Sequence, residues 1–331
     1  MNLELPEVAA EFGATARRAF ADAGGVELAR RAEADPAVRA TVVAPLLAGL
    51  GAFDLPLPLG PDDGDIDADV ALAAGELCRA AGRVALPYPL AAVLASPDGT
   101  ERPIAVVDPE LPRADHGDLF PTWQLATLDG GRAWTGAPSG PVLGTKLGPF
   151  VTDLRLDAET PDRDLTFPAA LTLALDAWRV LGTLERALET TAAHVTSREQ
   201  FGQPLAGFQA VQFQVADATV AARALRELAG FTTWRLCVAP LDRLVDALAL
   251  RVNAVEGAQQ VLRTCHQLHG AIGFCDEHDL SVLSRHVQPQ LRLPGGLEAT
   301  TEHLLAAVEE LGFSSLFGEG SSPAPAASGS T

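Results

Sequence analysis

Six apolar residues, Leu171, Leu175, Trp178, Leu181, Leu184 and Leu188, recur at spacings of three and four, which lays one continuous stripe along a helix over 167–196. Two further long helical patterns occupy 207–236 and 241–269, and a shorter one lies near 297–312. Helices of this length with an apolar stripe cannot stand alone in water, so they must pack on one another. A four-helix bundle is the expected solution, and the rest of the chain is arranged around it.

Upstream, residues 5 to about 35 are rich in Ala, Glu and Arg, with Phe12, Ala16, Phe20 and Val26 able to share one face of a broken helical pair. The run D-V-A-L-A-A-G-E-L-C-R-A-A-G-R-V at 69–84 repeats the pattern, so 1–95 reads as an N-terminal helical domain. From about 96 to 165 the texture changes to short apolar runs broken by Gly, Pro and Asp: R-P-I-A-V-V-D, W-Q-L-A-T-L, R-A-W-T-G and F-V-T-D-L-R-L-D. This is the signature of a small middle β domain whose strands are hard to pair from sequence. The bundle then fills 166–312, and 313–331, with E-G-S-S-P-A-P-A-A-S-G-S-T, has the composition of a disordered tail. The fold class is mainly α with a small β domain.

A chain of 331 residues with 47% hydrophobic content can bury a substantial core. Its formal charge of −19, with only 24 Lys and Arg, argues against a nucleic-acid surface, which needs clustered cations. One local Arg can still hold a pyrophosphate in an acidic protein. Met1 is followed by N-L-E-L-P-E without a basic stretch leading into an apolar segment, and no apolar run is long enough to span a bilayer, so a cytoplasmic protein is expected. The four cysteines, Cys78, Cys237, Cys265 and Cys275, include no CxxC pair, which speaks against a zinc site or a disulfide framework. His266 and His269 lie three apart but lack a convincing third ligand, so no metal is expected.

Two segments carry chemistry. In the first, R-E-Q-F-G-Q-P-L-A-G-F-Q at 198–209, Arg198 can offer its planar fork to a diphosphate. Phe201 and Phe208 can supply flat apolar contacts for a ring, while Gly202 and Pro204 interrupt the helix to make a shaped turn. Taken singly, Arg198 can equally cap a helix end and the phenylalanines pack in a core; the ordered combination argues for a site. In the second, Q-L-H-G-A-I-G-F at 267–274, Gln267 can donate and accept hydrogen bonds, and Gly270 and Gly273 permit a bend that opens backbone amides to a bound group.

Together these segments resemble the flavin-binding half of the acyl-CoA dehydrogenases. The resemblance runs over 167–311, includes E-H-D-L-S-V-L-S-R after the second motif, continues less distinctly through A-G-R-V-A-L-P-Y-P-L at 81–90, and is poorest in the abbreviated middle β domain. It implies an FAD cofactor whose diphosphate and adenine are met across a subunit interface, with Arg198, Phe201, Leu205, Phe208, Gln209, Gln267, Gly270 and Ala271 facing it. Ala271 stands where the family has the second glycine of a pair.

The reaction implied is α,β-dehydrogenation of an acyl-CoA thioester, in which a carboxylate removes the α proton while the flavin accepts the β hydride. By resemblance the base positions fall near Thr172 on the first bundle helix and near Pro294 in L-R-L-P-G-G-L-E, and neither residue is a carboxylate. Asp176, one helical turn beyond Thr172, is the best local substitute, and Glu298 the next; the same two can instead be a helix-interface acid and a solvated first-turn acid.

This pattern looks like the short subunit of the heteromeric acyl-CoA dehydrogenases that act on steroid-derived thioesters in actinobacteria. That implies an α2β2 heterotetramer in which a larger homologous partner supplies the base and much of the substrate pocket. Two other readings stay open: a non-catalytic structural or regulatory partner without flavin, and a self-sufficient homomer using Asp176.

Overall fold

The computed structural model describes residues 5–55, 57, 67–144, 147–238 and 243–311. The tail expected over 313–331 lies outside the described residues.

The N-terminal helices are α1 (Glu7–Asp22), α2 (Val26–Ala34), α3 (Ala44–Gly49), α4 (Ala68–Arg83) and α5 (Leu90–Leu94), with a π-helical turn over Arg39–Val43 before α3. Ala16, Phe20 and Val26 are buried where α1 and α2 meet the rest of the chain, as their shared face requires, and Phe12 is partly buried against the same core. Asp67 caps α4, its side chain accepting from the Asp69 N–H at 2.8 Å.

Five strands follow: β1 (Ile104–Val106), β2 (Arg113–Asp115), β3 (Trp123–Ala126), β4 (Ala133–Val142) and β5 (Val151–Glu159). They form one sheet in the order β1-β3-β4-β5-β2. Its only parallel pair among the described strands is β1 with β3, in register Ile104 to Gln124. The short strand β2 had no sequence signal; it is held at the opposite edge by pairing Asp115 with Val151.

The bundle contains α6 (Thr166–Ser197), then a two-residue hairpin of β6 (Glu199–Gln200) and β7 (Gln203–Pro204), then α7 (Gln209–Val238) and α8 (Arg243–His269). After these come α9 (Asp279–His286), α10 (Gln288–Arg292) and α11 (Gly296–Leu311). Leu171, Leu175, Trp178, Leu181 and Leu184 are all buried and Leu188 is partly so, which puts the leucine stripe of α6 at the centre of the core.

Close approach of α4 to α6 depends on glycine. A Cβ on Gly82 would strike the Arg179 carbonyl, and one on Gly182 would strike the Arg79 carbonyl, so the two backbones touch where both side chains are missing. The crossing is then tied by Arg79 to Glu185 at 2.8 Å and Arg83 to Glu189 at 2.6 Å. Trp178 donates its indole N–H to the Thr233 hydroxyl at 2.9 Å, joining α6 to α7 inside the core. This anchoring fixes α6 rigidly, and α6 carries one end of each of the two sites described next.

No helix among the described residues is long and apolar enough to cross a membrane.

Candidate functional site

Thr172 and Pro294, the positions where a base is expected by resemblance, share one cleft with Asp176. It lies between the sheet and the bundle, lined by Thr172, Asp176 and Arg179 of α6, Arg251 of α8, Asp115 of β2, and Gln290 and Pro294 near α10. Sequence reasoning placed Thr172, Asp176 and Pro294 here one by one; the structure brings them together. Glu298 does not join them. It is exposed in the first turn of α11, so its role as a fallback base is corrected to that of a solvated acid at a helix start.

The charged side chains that line the cleft are held by this chain's own groups. Arg179 donates to the carbonyls of Tyr88 at 2.8 Å and Leu86 at 3.0 Å. Arg251 donates to the Thr300 hydroxyl at 3.0 Å and to the carbonyls of Gln290 at 3.1 Å and Leu293 at 2.5 Å. Gln290 in turn donates to Asp115 at 3.3 Å. The space left for solvent is about 70 Å³, whereas sites for ligands of cofactor size occupy roughly 300 Å³ or more. At Arg113, Leu293 and Pro294 the cleft adjoins a wider opening of about 370 Å³ that Leu111, Arg292, Gly295 and Gly296 also line.

Asp176 is the group in the cleft with the most distinctive chemistry. Burial pushes its carboxyl up to about 6, the neighbouring Asp115 adds to this, and Arg179 and Arg251 oppose it. Asp115 is raised by burial too, while burial drives the Arg251 guanidinium down to about 10. Arg179, Arg251 and Asp115 were missed in the sequence because they come from three separate elements. A signal existed for one of them: Arg179 stands in the otherwise apolar run A-W-R-V-L of a buried helix, three residues from Asp176.

The two motifs form a different surface, at the far ends of α6 and α8. Arg198 caps α6 in extended conformation and is exposed. Phe201 at φ 52° and Gly202 at φ 82° turn the β6–β7 hairpin, and Phe201 is 93% exposed, with its ring edge-on to Phe208 at 6.3 Å. The core-packing alternative for Phe201 is thereby excluded. Leu205 and Phe208 are half-buried, and Gln209 is exposed at the start of α7. Gln267, Gly270 and Ala271 are exposed where α8 gives way to a 3-10 turn over Gly270–Phe274, with Gly270 at φ 64°. The two ends are joined by His194 of α6 stacked on His269 of α8, ring centroids 4.5 Å apart.

This edge suits the outer half of a dinucleotide: an exposed guanidinium, an exposed aromatic ring, an amide side chain and a turn with open backbone. Among the described residues no group of three His, Cys, Asp or Glu could hold a metal ion.

Comparison with known proteins gives the same frame. Residues 174–308 match the family described as acyl-CoA dehydrogenase, C-terminal domain. The chain is 29% identical over 268 residues to acyl-CoA dehydrogenase IpdE2 of Mycobacterium tuberculosis, covering 74% of this chain and 79% of that one. It is 33% identical over 115 residues to acyl-CoA dehydrogenase FadE28 of the same organism, a match that spans 35% of this chain and 34% of that protein. In structure it is similar to a chain of the ChsE4-ChsE5 complex from M. tuberculosis, with TM-score 0.73, 19% identity, and 94% and 99% of the two chains covered. It is also similar to the Tcur3481-Tcur3483 steroid ACAD variant, with TM-score 0.72, 22% identity, and coverage of 93% and 99%. The fold, the matched domain and the relative that spans most of its length agree: residues 174–308 match the acyl-CoA dehydrogenase C-terminal domain, and the chain is similar to acyl-CoA dehydrogenases over most of its length.

Proposed function

We propose that this chain is the short subunit of a heteromeric FAD-dependent acyl-CoA dehydrogenase. In this reading the exposed edge around Arg198, Phe201 and Gln267 holds the diphosphate and adenine of an FAD whose ring lies in a larger homologous partner. The observation that carries it is the contrast between the two sites: an open edge suited to a diphosphate, and an interior cleft in which Thr172 and Pro294 stand where a carboxylate base is expected. A chain that keeps the first and lacks the base in the second needs a partner for the chemistry.

FAD, when bound, supplies hydride acceptance. This chain's residues bind and orient: Arg198 offers two parallel N–H donors to the diphosphate, Phe201 an apolar face, and Gln267 a donor and an acceptor. The α-proton base and most of the acyl pocket belong to the partner, because Thr172 and Pro294 occupy the base positions here. The substrate is an acyl-CoA thioester, and the bulky, steroid-derived class is favoured by likeness to the Tcur3481-Tcur3483 steroid ACAD. An α2β2 heterotetramer is the assembly proposed, by similarity to the ChsE4-ChsE5 complex.

A second reading is favoured by one observation. Asp176 lines the cleft beside Thr172, with its carboxyl at about 6, where a general base operating near neutrality belongs. A homomer in which the cleft opens would use it.

The deciding experiment is the native mass and absorption spectrum of whatever co-purifies with this chain from its host. A larger dehydrogenase with bound flavin supports the heteromeric reading. A flavin-bound homomer overturns it in favour of Asp176, and a flavin-free complex favours a purely structural partner.

A further inference from the structure

Beneath the exposed edge, the elements that converge do so through imidazoles. His194 in the last turn of α6 stacks on His269, the last residue of α8, at 4.5 Å between centroids. His269 stands across His278, the N-cap of α9, at 4.8 Å. His266, one turn back on α8, lies flat on Phe274 at 4.4 Å, and its Nε2 is 3.0 Å from the Ser284 hydroxyl. Four of the chain's seven histidines thus sit under the two motifs.

The tautomers can be read in part. His269 Nδ1 lies 2.8 Å from the Cys265 carbonyl, so that nitrogen carries the proton and donates it. Nε2 of His269 is then bare, and it is buried with no hydrogen-bond partner among the described residues, as is Nδ1 of His266; His269 as a whole is 5% exposed. His278 Nδ1 accepts from the Leu280 N–H at 3.2 Å and is bare as well. Buried polar atoms without partners call for an explanation, and an ordered water or a bound ion is among those available.

The charged groups around the cluster are unbalanced. At the end of α6, burial pushes His194 down, with His278 and then the Arg198 guanidinium adding to it. From α8 come His266 and His269, both lowered by burial and by the other imidazoles, and Cys265, whose thiol burial pushes up to about 11. From α9 comes Asp279, already engaged by Arg30 at 3.0 Å and Arg186 at 3.4 Å, and in the preceding turn Asp276 pairs with Arg285 at 2.9 Å. Glu277 and Cys275 beside it are exposed. Among the described residues none of the four imidazoles is in an ion pair with a carboxylate. An imidazolium formed in the cluster would lack a counter-anion, although the C-termini of α6 and α8 end there and favour a cation.

We propose that the four imidazoles are a proton-accepting seat for a diphosphate: a dinucleotide diphosphate held at Arg198 and the Gly270 turn supplies the missing anion, and the cluster takes one proton from solvent to meet it. No bond is made to the ligand; the proton comes from bulk water and its conjugate base stays in the buffer. The inference rests on the reading of this edge as diphosphate-facing and extends it to His194, His266, His269 and His278, which become positioning residues for the anion.

The test uses the full chain as purified, with any partner that accompanies it, and ADP-ribose as the probe, since the phosphates of a diphosphate diester keep the same charge from pH 6 to 8. Calorimetry at both pH values, in two buffers of different ionisation heat, should show affinity roughly tenfold tighter at pH 6 and net uptake of protons on binding. Histidine Hε1 resonances of the wild type, titrated with and without ADP-ribose, should show at least one of the four imidazoles titrating at higher pH in the complex. In the double variant His194→Gln, His269→Gln the ratio of affinities should fall toward one. Equal affinity at the two pH values, no proton uptake, or resonances that titrate identically with and without the probe would overturn the proposal, and the last of these requires no variant to fold. Binding that Arg198→Ala leaves intact would instead sink the underlying diphosphate reading, whereas binding that Arg198→Ala abolishes but that shows no pH ratio defeats the histidine proposal alone. Absence of any binding at pH 6 defeats both.

Discussion

Replacing Asp176 with Asn should make the protein more stable at neutral pH, an unusual direction for a change inside a core. Burial holds the Asp176 carboxyl at about 6, against 3.8 for the same group in the open chain. A displacement of that size corresponds to about 3 kcal/mol, at roughly 1.4 kcal/mol per pH unit. The sign follows from proton counts. Below about pH 4 the carboxyl is protonated in folded and unfolded states alike, and the group contributes nothing. Between about 4 and 6 the unfolded chain gives up its proton while the folded chain keeps it, so stability falls as pH rises through that window and stays lower above it. Asn has the same shape and no charge, so the variant should gain about 2 to 3 kcal/mol at pH 8 and almost nothing at pH 4. Urea unfolding followed by tryptophan fluorescence at pH 4, 6 and 8, at one protein concentration, reads this directly. A variant less stable than wild type at pH 8, or a difference that does not change with pH, would refute the reasoning: the carboxylate would then be held by Arg179 or Arg251 and not merely stranded among them. A gain at pH 8 accompanied by lost turnover with flavin retained would give Asp176 the role of base, since a carboxylate kept against its own folding cost needs a use.

Arg198→Ala should weaken flavin retention in the assembled protein by roughly 1.5 to 3 kcal/mol, the value of a charge-assisted phosphate contact; equilibrium dialysis of flavin that finds unchanged affinity defeats that assignment. Phe201→Ser should leave the unfolding midpoint of the isolated chain within about 0.5 kcal/mol, because the ring is 93% exposed; a larger loss would mean that the β6–β7 hairpin packs in a way its exposure denies. Gly82→Ala or Gly182→Ala should each cost roughly 3 kcal/mol or more, because the added methyl meets a backbone carbonyl that cannot rotate away; denaturant unfolding that finds less than about 1 kcal/mol would show that α4 and α6 can separate freely.

What the sequence made legible was set by local periodicity. The leucine stripe of α6 and the limits of α7, α8 and α11 could be read to within about three residues, because every contact that defines them recurs within one or two turns. The sheet resisted for the opposite reason. Ile104 pairs with Gln124 in parallel and Asp115 with Val151 in antiparallel, and neither partner is marked in the other's neighbourhood. The same holds at the two sites. Residues in one motif, such as Arg198 and Phe201, could be named from their order, whereas the stacking of His194 on His269 joins positions on different helices and has no local mark. Arg251 is missed for that reason as well: its three acceptors are Thr300, Gln290 and Leu293, all supplied by later segments.

The two sites differ in what it would take to restore them, and this bears on how the chain works. Any widening of the cleft that moved Arg179 and Arg251 would put at risk the five acceptors they hold, beside two carboxyls whose own charge is already disfavoured there. The edge at the ends of α6 and α8 needs no such rearrangement, since Arg198, Phe201, Gln267 and the Gly270 turn already face outward. An edge that faces outward and a cleft whose buried charges lock one another are the arrangement that the proposed role, a subunit completing another chain's cofactor site, predicts. Loosening the lock should then harm folding before it creates activity. Arg179→Met, which removes the donors to Tyr88 and Leu86 and leaves those carbonyls buried, should lower stability by about 1 to 3 kcal/mol per orphaned carbonyl. Turnover by the isolated variant with added flavin, without any partner, would show that the cleft had been an active site held shut and would overturn the division of labour argued here.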